Sequence, residues 1–233
     1  MEWLEKIAPN LYTYFDRFLT SCSATAEMFF KAGMIAFVVG LALGVVLVTT
    51  RRDGVAQNLI VYQVTNFVVN VFRSIPFLIL LIFLIPLTRK LVGTAIGVKG
   101  AILPLVFGTV PFYTRQVEVA LSGVDKGKVE AARSMGSGTL GLIFRVYLHE
   151  AVPELIRVTT VTAISLIGLT TMAGAVGAGG IGSFAINYGQ NQHYSDIVNV
   201  CVLLLLLIVF ALQTIGNFLA RRTTNRALFR RRR

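Results

Sequence analysis

Acidic residues are scarce in this chain. Asp and Glu number 11 in 233 residues against 22 Lys and Arg, and charged types together make up only 14%. Soluble globular proteins carry about 25%. Apolar types reach 55% and mean hydropathy is +0.72. The shortage of charge excludes an ordinary soluble domain and predicts a membrane protein before any motif is read. Histidine occurs only as His149 and His193, with no His-x-x-x-His pair, so no metal is expected. Cysteine is limited to Cys22 and Cys201. Their settings differ, the second lying inside an apolar run, which argues against a disulfide framework.

A phosphate loop is missing too. Gly127-Lys128-Val129 lacks both the following hydroxyl and the upstream glycine of G-x-x-x-x-G-K-[ST]. The chain therefore has no means of cradling ATP phosphates. Gly177 to Gly182 fits G-x-G-x-x-G, but it follows an apolar run rather than a strand, so it reads as a packing or re-entrant turn. No nucleophile–base pair stands out, and no enzyme is expected.

What is abundant is positive charge, a net +11. Seven arginines lie after position 220: Arg221, Arg222, Arg226 and Arg230 to Arg233. Basic residues beside a membrane span set topology or touch anionic headgroups. The expected partner is membrane lipid, not nucleic acid. The first 27 residues hold Glu2, Glu5 and Asp16 and lack the pattern of a cleavable signal. Trp3, Tyr12 and Tyr14 suit interfacial anchors.

A helix needs about 20 apolar residues to cross the hydrocarbon. Five segments qualify: about 28–48, 66–87, 100–121, 155–176 and 197–219. Lys31 can snorkel from the first. Arg73 interrupts the second, whose residues 62–72 read as an amphipathic lead-in and 74–87 as the buried part. Pro76, Pro104 and Pro111 are tolerable inside spans. The basic tail belongs in the cytoplasm, so five spans put the N-terminus outside. The inner loops then hold Arg51 and Arg52, and Lys126, Lys128, Arg133 and Arg145, while loop 177–196 has no Lys or Arg. Arg89, Lys90 and Lys99 in the outer loop 88–99 are the exception. Arg115 and Glu118, near the inner end of the third run, are spaced to pair with each other; a charge in a transport pathway is the other reading.

The largest inner loop contains a polar helix. Asp125 suits an N-cap; Glu130, Ala131, Ala132 and Arg133 are helix formers; Glu130 and Arg133 are spaced to pair. Gly136 and Gly138 stop the helix. Two readings stand at this point: a solvated connector, or a surface that admits another protein. The fourth run carries Thr159, Thr160, Thr162, Ser165, Thr170 and Thr171, with Gly168 and Gly174 permitting close helix contact. Thr162, Ser165, Leu169, Met172 and Val176 form one stripe at helical spacing, suited either to helix packing or to lining a pathway.

Glu130-Ala131-Ala132, then Gly136, then Val146-Tyr147-Leu148 resembles the EAA loop of ABC importer permeases. The chain departs from that pattern at His149, where proline is expected; Pro153 follows one turn later. "NVFRSIPFLILLIFLIP" (70–86), "GAVGAGGIG" (174–182) and the five-run layout are similar to the permeases of methionine importers. The resemblance implies an all-α integral membrane fold of five transmembrane helices with a cytoplasmic coupling helix. It implies that Glu130, Ala131, Ala132 and Gly136 couple the chain to an ATPase, and that Met172 gates a pathway shared with Ser165, Leu169 and Val176. It further implies a homodimer, two cytoplasmic ABC ATPase subunits carrying ATP and Mg, and an extracytoplasmic methionine-binding lipoprotein. The expected organisation is an extracytoplasmic segment 1–23, a permease domain 24–217 and a basic cytoplasmic tail 218–233, in the inner membrane of a bacterium. The chain itself holds no cofactor. A permease for another amino acid or small peptide, or a passive channel, are the alternatives. A channel has no use for the helix that ends at Gly136.

Overall fold

A computed structural model describes residues 8–230, with side chains described as far as residue 224. Among the described residues every regular element is helical. In chain order the helices are α1 (Pro9–Thr13), α2 (Phe15–Thr50), α3 (Leu59–Ser74), α4 (Phe77–Phe83), α5 (Ile85–Val92), α6 (Gly97–Ser122) and α7 (Lys126–Ser134). Helical turns follow over Thr139–Gly141, Leu142–Tyr147 and Leu148–Glu150, leading into α8 (Val152–Ala173). A wide turn, Gly174–Ala178, precedes α9 (Gly180–Phe184), which runs on through Ala185–Gln190. The last helix is α10 (Ser195–Arg230). Trp3 and Arg231 to Arg233, like the side chains of Arg226 and Arg230, lie outside the described residues.

Among the described residues three helices are long and apolar enough to cross a membrane: Phe15–Thr50, Val152–Ala178 and Ser195–Thr224. The second expected run is not one straight helix. It breaks between α3 and α4 with a bend of 103°, and the pair supplies a fourth span if read as one. The cause is local. Pro76 takes an extended conformation (φ −55°, ψ 135°), lacks an N–H, and drives the residue before it away from helix. The third run is one helix of 26 residues, but Lys99, Arg115, Glu118 and two prolines dilute it, so by composition it falls short of a span. Segments 88–99 and 177–196, expected as loops, are largely helical.

The described chain divides into two units. The first gathers Met1–Ile35, Ile75–Gly108 and Ala163–Ala211. One of its cores packs Met28, Ala32, Leu81, Leu105, Leu166 and Ala173. Another packs Leu11, Phe18, Ile181, Phe184, Ile197 and Cys201. Cys22 packs against that second core, so the two cysteines share a setting, contrary to the sequence reading; both are free thiols. Tyr14 stacks between Tyr188 (4.7 Å) and Tyr194 (6.4 Å), whereas Tyr12 is exposed. Asp196, at the start of α10, accepts from Asn10 N at 3.0 Å and Nδ2 at 3.1 Å, and from Leu11 N at 3.3 Å. Lys31 pairs with Glu27 at 2.5 Å.

The second unit gathers Ala36–Ser74, Thr109–Thr162 and Leu212–Arg233. Its core packs Val48, Tyr113, Val117 and Leu121 against Val129, Ala132, Leu142 and Tyr147. Here α2 and α6 meet at close range through Gly40-x-x-x-Gly44. A Cβ on Gly44 would stand 2.5 Å from Val117 Cγ1, and one on Gly40 2.8 Å from Tyr113 Cδ1. Small residues one turn apart let two apolar helices approach where lipid gives no hydrophobic drive.

Candidate functional site

Three places concentrate the residues that can do more than hold the fold. The first is α7. Asp125 Oδ1 accepts from Gly127 N at 2.8 Å, satisfying one amide that the helix start leaves open. At the other end Gly136 N donates to Arg133 O at 3.0 Å and Ser137 N to Ala132 O at 3.1 Å. Those paired bonds form a Schellman cap. It needs a left-handed residue, and Gly136 has φ +83°. Val129 and Ala132 face the core, while Glu130, Ala131, Arg133 and Gly136 are exposed. A Cβ on Gly136 would meet nothing within 4 Å. Of the four residues assigned to coupling, Ala132 therefore points inward and the other three are open.

The expected pair of Glu130 with Arg133 is absent among the described ion pairs; instead Lys128 pairs with Glu150, tying α7 to the stretch after it. That stretch presents residues sequence reasoning passed over. Met135 is 79% exposed, Leu140 71% and Phe144 65%. Large apolar side chains amid a polar loop were the available signal. Alanine, glycine and these apolar groups offer a face that a protein surface can approach closely. They offer no group that could do bond chemistry. The chain next bends at Ala151 (φ −82°, ψ −1°), just ahead of Pro153 at the second position of α8, and His149 itself is in a helical turn.

The second place is the C-terminal length of α8 and the turn beyond it. The predicted stripe does not share one environment. Thr162 is fully buried and donates to Val158 O at 2.8 Å. Leu169 packs against the core of Met28 and Leu105. Ser165 is half-buried. Met172 and Val176 are 48% and 40% exposed. The open line along this helix is Val161, Gly168, Met172 and Val176, one position removed from the predicted stripe in its earlier half. Below Met172 the helix widens and kinks at Val176 (φ −109°, ψ 23°) and Gly177 (φ +89°). Gly179 and Gly180 also take positive φ, +82° and +79°, values that cost side-chain-bearing residues dearly. The turn is pinned from α2, where Thr25 Oγ1 accepts from Ile181 N at 2.8 Å. A Cβ on Gly174 would stand 2.6 Å from Ser183 N, so the turn folds tightly on itself.

The third place is a polar cluster on α6. Arg115 pairs with Glu118, as its spacing predicted, and also bonds Asn66 and, at 2.8 Å, Asn70 of α3. Both members of the ion pair are mostly buried, 21% and 14% exposed. A self-satisfied cluster of this kind is a way to keep charge among apolar helices.

Comparison with known proteins identifies the family. The profile described as the inner membrane component of binding-protein-dependent transport systems matches residues 36–227. The probable D-methionine transport system permease protein MetI of Vibrio cholerae is 42% identical over 211 residues, spanning 91% of this chain and 94% of the relative. The methionine import system permease protein MetP of Bacillus subtilis is 48% identical over 173 residues, 74% and 78% of the two chains. An inward-facing structure of the MetNI methionine ABC transporter superposes with a TM-score of 0.88 at 39% identity, covering 91% of this chain and 98% of the other. A structure of an amino acid ABC transporter superposes at 0.75 with 17% identity and shows the shared fold alone. The relatives are transport components rather than catalysts. A profile covering most of the sequence and relatives aligned over nearly its whole length leave one assignment: the chain belongs to the inner membrane components of binding-protein-dependent transport systems.

Proposed function

We propose that the chain is the membrane-spanning subunit of an ATP-driven methionine importer. The observation that carries this is α7: a capped helix whose outward face sets Ala131 between the charged Glu130 and Arg133, and whose end at Gly136 is open to close approach. Such a helix suits a groove on an ATPase subunit. Closure of that ATPase would shift the chain between outward-open and inward-open states by differential contact. The relatives named for methionine supply the cargo.

In this reading the protein works as a two-fold dimer with two ATPase subunits inside and a methionine-binding lipoprotein outside. Five crossings are counted, with the bent α3–α4 pair as one and α6 as another. Its partly charged composition is tolerable because Arg115 and Glu118 satisfy each other. The N-terminus is outside and the basic end of α10 inside, following the distribution of Lys and Arg. Glu130, Ala131, Ala132 and Gly136 form the coupling element. Met172 and Val176 stand at the constriction, with Ser165 and Leu169 on the flank above.

The experiment is reconstitution in liposomes with ATPase and binding lipoprotein. ATP-dependent uptake of labelled methionine is expected. Preferential uptake of a different amino acid would transfer the assignment to that cargo, and flux without ATP would make the protein a channel.

A further inference from the structure

Arg51 and Arg52 follow directly on the end of α2 at Thr50, and beyond their part in orienting the chain no role above uses them. With Leu59, Tyr62 and Gln63 from the first turns of α3 they line an open cavity of about 400 Å³. No acidic residue is among the lining. Arg51 is held in place, since its Nη1 donates to Ser122 Oγ at 2.8 Å. One of its five N–H donors is thereby used, and the rest of the fork remains for a ligand. The Tyr62 hydroxyl and Gln63 amide add neutral donors, and the start of α3 adds the positive end of a helix dipole.

The adjoining face of α3 carries an apolar ridge. Ile60, Val64 and Phe67 are 75%, 59% and 69% exposed, and their spacing of four and three puts them on one face of α3. Cationic donors at one end and an uncovered apolar ridge beside them match a ligand with an anionic head and hydrocarbon chains.

We propose that this cavity binds the phosphate of an anionic phospholipid, with its acyl chains along the Ile60–Phe67 ridge. Guanidinium forks suit phosphate oxygens, and juxtamembrane arginines are drawn to anionic leaflets. Free inorganic phosphate shares the head-group chemistry but leaves the ridge uncovered. An acidic protein surface would do the same. The proposal rests on the chain being membrane-embedded, not on methionine as its cargo.

The test uses the full transporter complex in detergent, stripped of lipid and titrated with phosphatidylglycerol, phosphatidylcholine or inorganic phosphate while native mass spectrometry counts bound molecules. Phosphatidylglycerol should bind at least about tenfold more weakly to the R51Q/R52Q double variant than to the unaltered chain. An R89Q/K90Q control, which removes the same charge elsewhere in the chain, should bind as the unaltered chain does, and phosphate should not displace the lipid. If the double variant does not assemble, R52Q alone carries the test, with a several-fold loss expected. Equal binding by altered and unaltered chains overturns the proposal. So does equal retention of phosphatidylcholine, or displacement by phosphate alone. Loss of a partner subunit from R51Q/R52Q with lipid binding intact would make the cavity a protein-docking site instead. Failed methionine uptake leaves this result untouched, because the count of bound lipid does not depend on transport.

Discussion

Thr25→Val should loosen the turn beneath Met172 without changing the shape of anything around it. The side chain is 4% exposed. Its hydroxyl donates to Ser21 O at 3.0 Å within α2 and accepts from Ile181 N at 2.8 Å. Valine fills the same volume and keeps the packing against Gly180, whose Cβ position would lie 2.6 Å from the hydroxyl oxygen. What it removes is the acceptor of the Ile181 amide. Leaving a buried donor unsatisfied costs about 1–3 kcal/mol, and water cannot repair the loss if the site lies within lipid. Loss of the Ser21 contact adds little, because that carbonyl already serves the helix. Thr25→Ser keeps the hydroxyl and should recover most of the stability. Thr20→Val is the control: Thr20 is exposed and its hydroxyl bonds only Asp16 O of its own helix, at 2.9 Å. The assay is unfolding of the purified chain in detergent, with amide exchange at Ile181 as the local readout. Equal midpoints for Thr25→Val, Thr25→Ser and the unaltered chain, with no faster exchange at Ile181, would refute the claim that this bond pins the turn.

Gly136→Ala should cost about 1–2 kcal/mol for its left-handed backbone, with no clash, whereas Gly136→Trp should abolish ATP-dependent uptake while dimer formation in detergent persists; full uptake by the tryptophan variant would return α7 to a plain connector. Asp196→Asn should free the N-terminal helix, seen as faster proteolysis near residues 10–13, because charge-assisted bonds to Asn10 and Leu11 are replaced by weaker ones. Asn191→Cys should react with an impermeant thiol reagent from outside and Ser137→Cys only after permeabilisation; labelling of both from one side contradicts the five-crossing topology.

Helix α7 was almost fully legible. Asp125, the Glu130 to Arg133 helix formers and Gly136 are local signals, and each acts on residues within a turn or two of itself. The start and end of α7 accordingly fall where the side chains imply. The bend at Pro76 was not legible from hydropathy, which averages straight across it, although the proline itself marked the spot. Residues 177–196 read as a loop because glycines dominate their start. Ile181, Phe184 and Tyr188 nonetheless follow helical spacing, and their partners, Phe18 and Tyr14, lie over 150 positions away in sequence. The same distance hides the meeting of Cys22 with the core of Cys201. For Arg115 the near partner, Glu118, was readable from spacing, but Asn66 and Asn70 come from another helix, and nothing local announces them.

The stripe on α8 shows how far periodicity reaches and where it stops. Spacing by three and four places Thr162, Ser165, Leu169, Met172 and Val176 within one broad arc, but an arc has two edges. Thr162 and Leu169 fall on the edge that faces the core, and Met172 and Val176 on the edge that does not. Burial therefore separates two roles that spacing merged. A packed methionine truncated to alanine costs about 2–5 kcal/mol. Met172, 48% exposed in the single chain, should lose well under that on becoming alanine, because much of its side chain touches nothing within the chain. Directly below it the helix kinks at Val176 and Gly177. In a two-fold dimer two copies of an unbranched, adaptable side chain would close a narrow pathway, and an apolar constriction resists water by dewetting. Met172→Ala in liposomes without ATP should raise the passive leak of small solutes, with stability of the single chain nearly unchanged and ATPase activity of the complex little altered. A drop in dimer stability with no added leak would mean that the open edge of α8 is a packing surface between subunits, and that the constriction lies elsewhere along Val161 and Gly168.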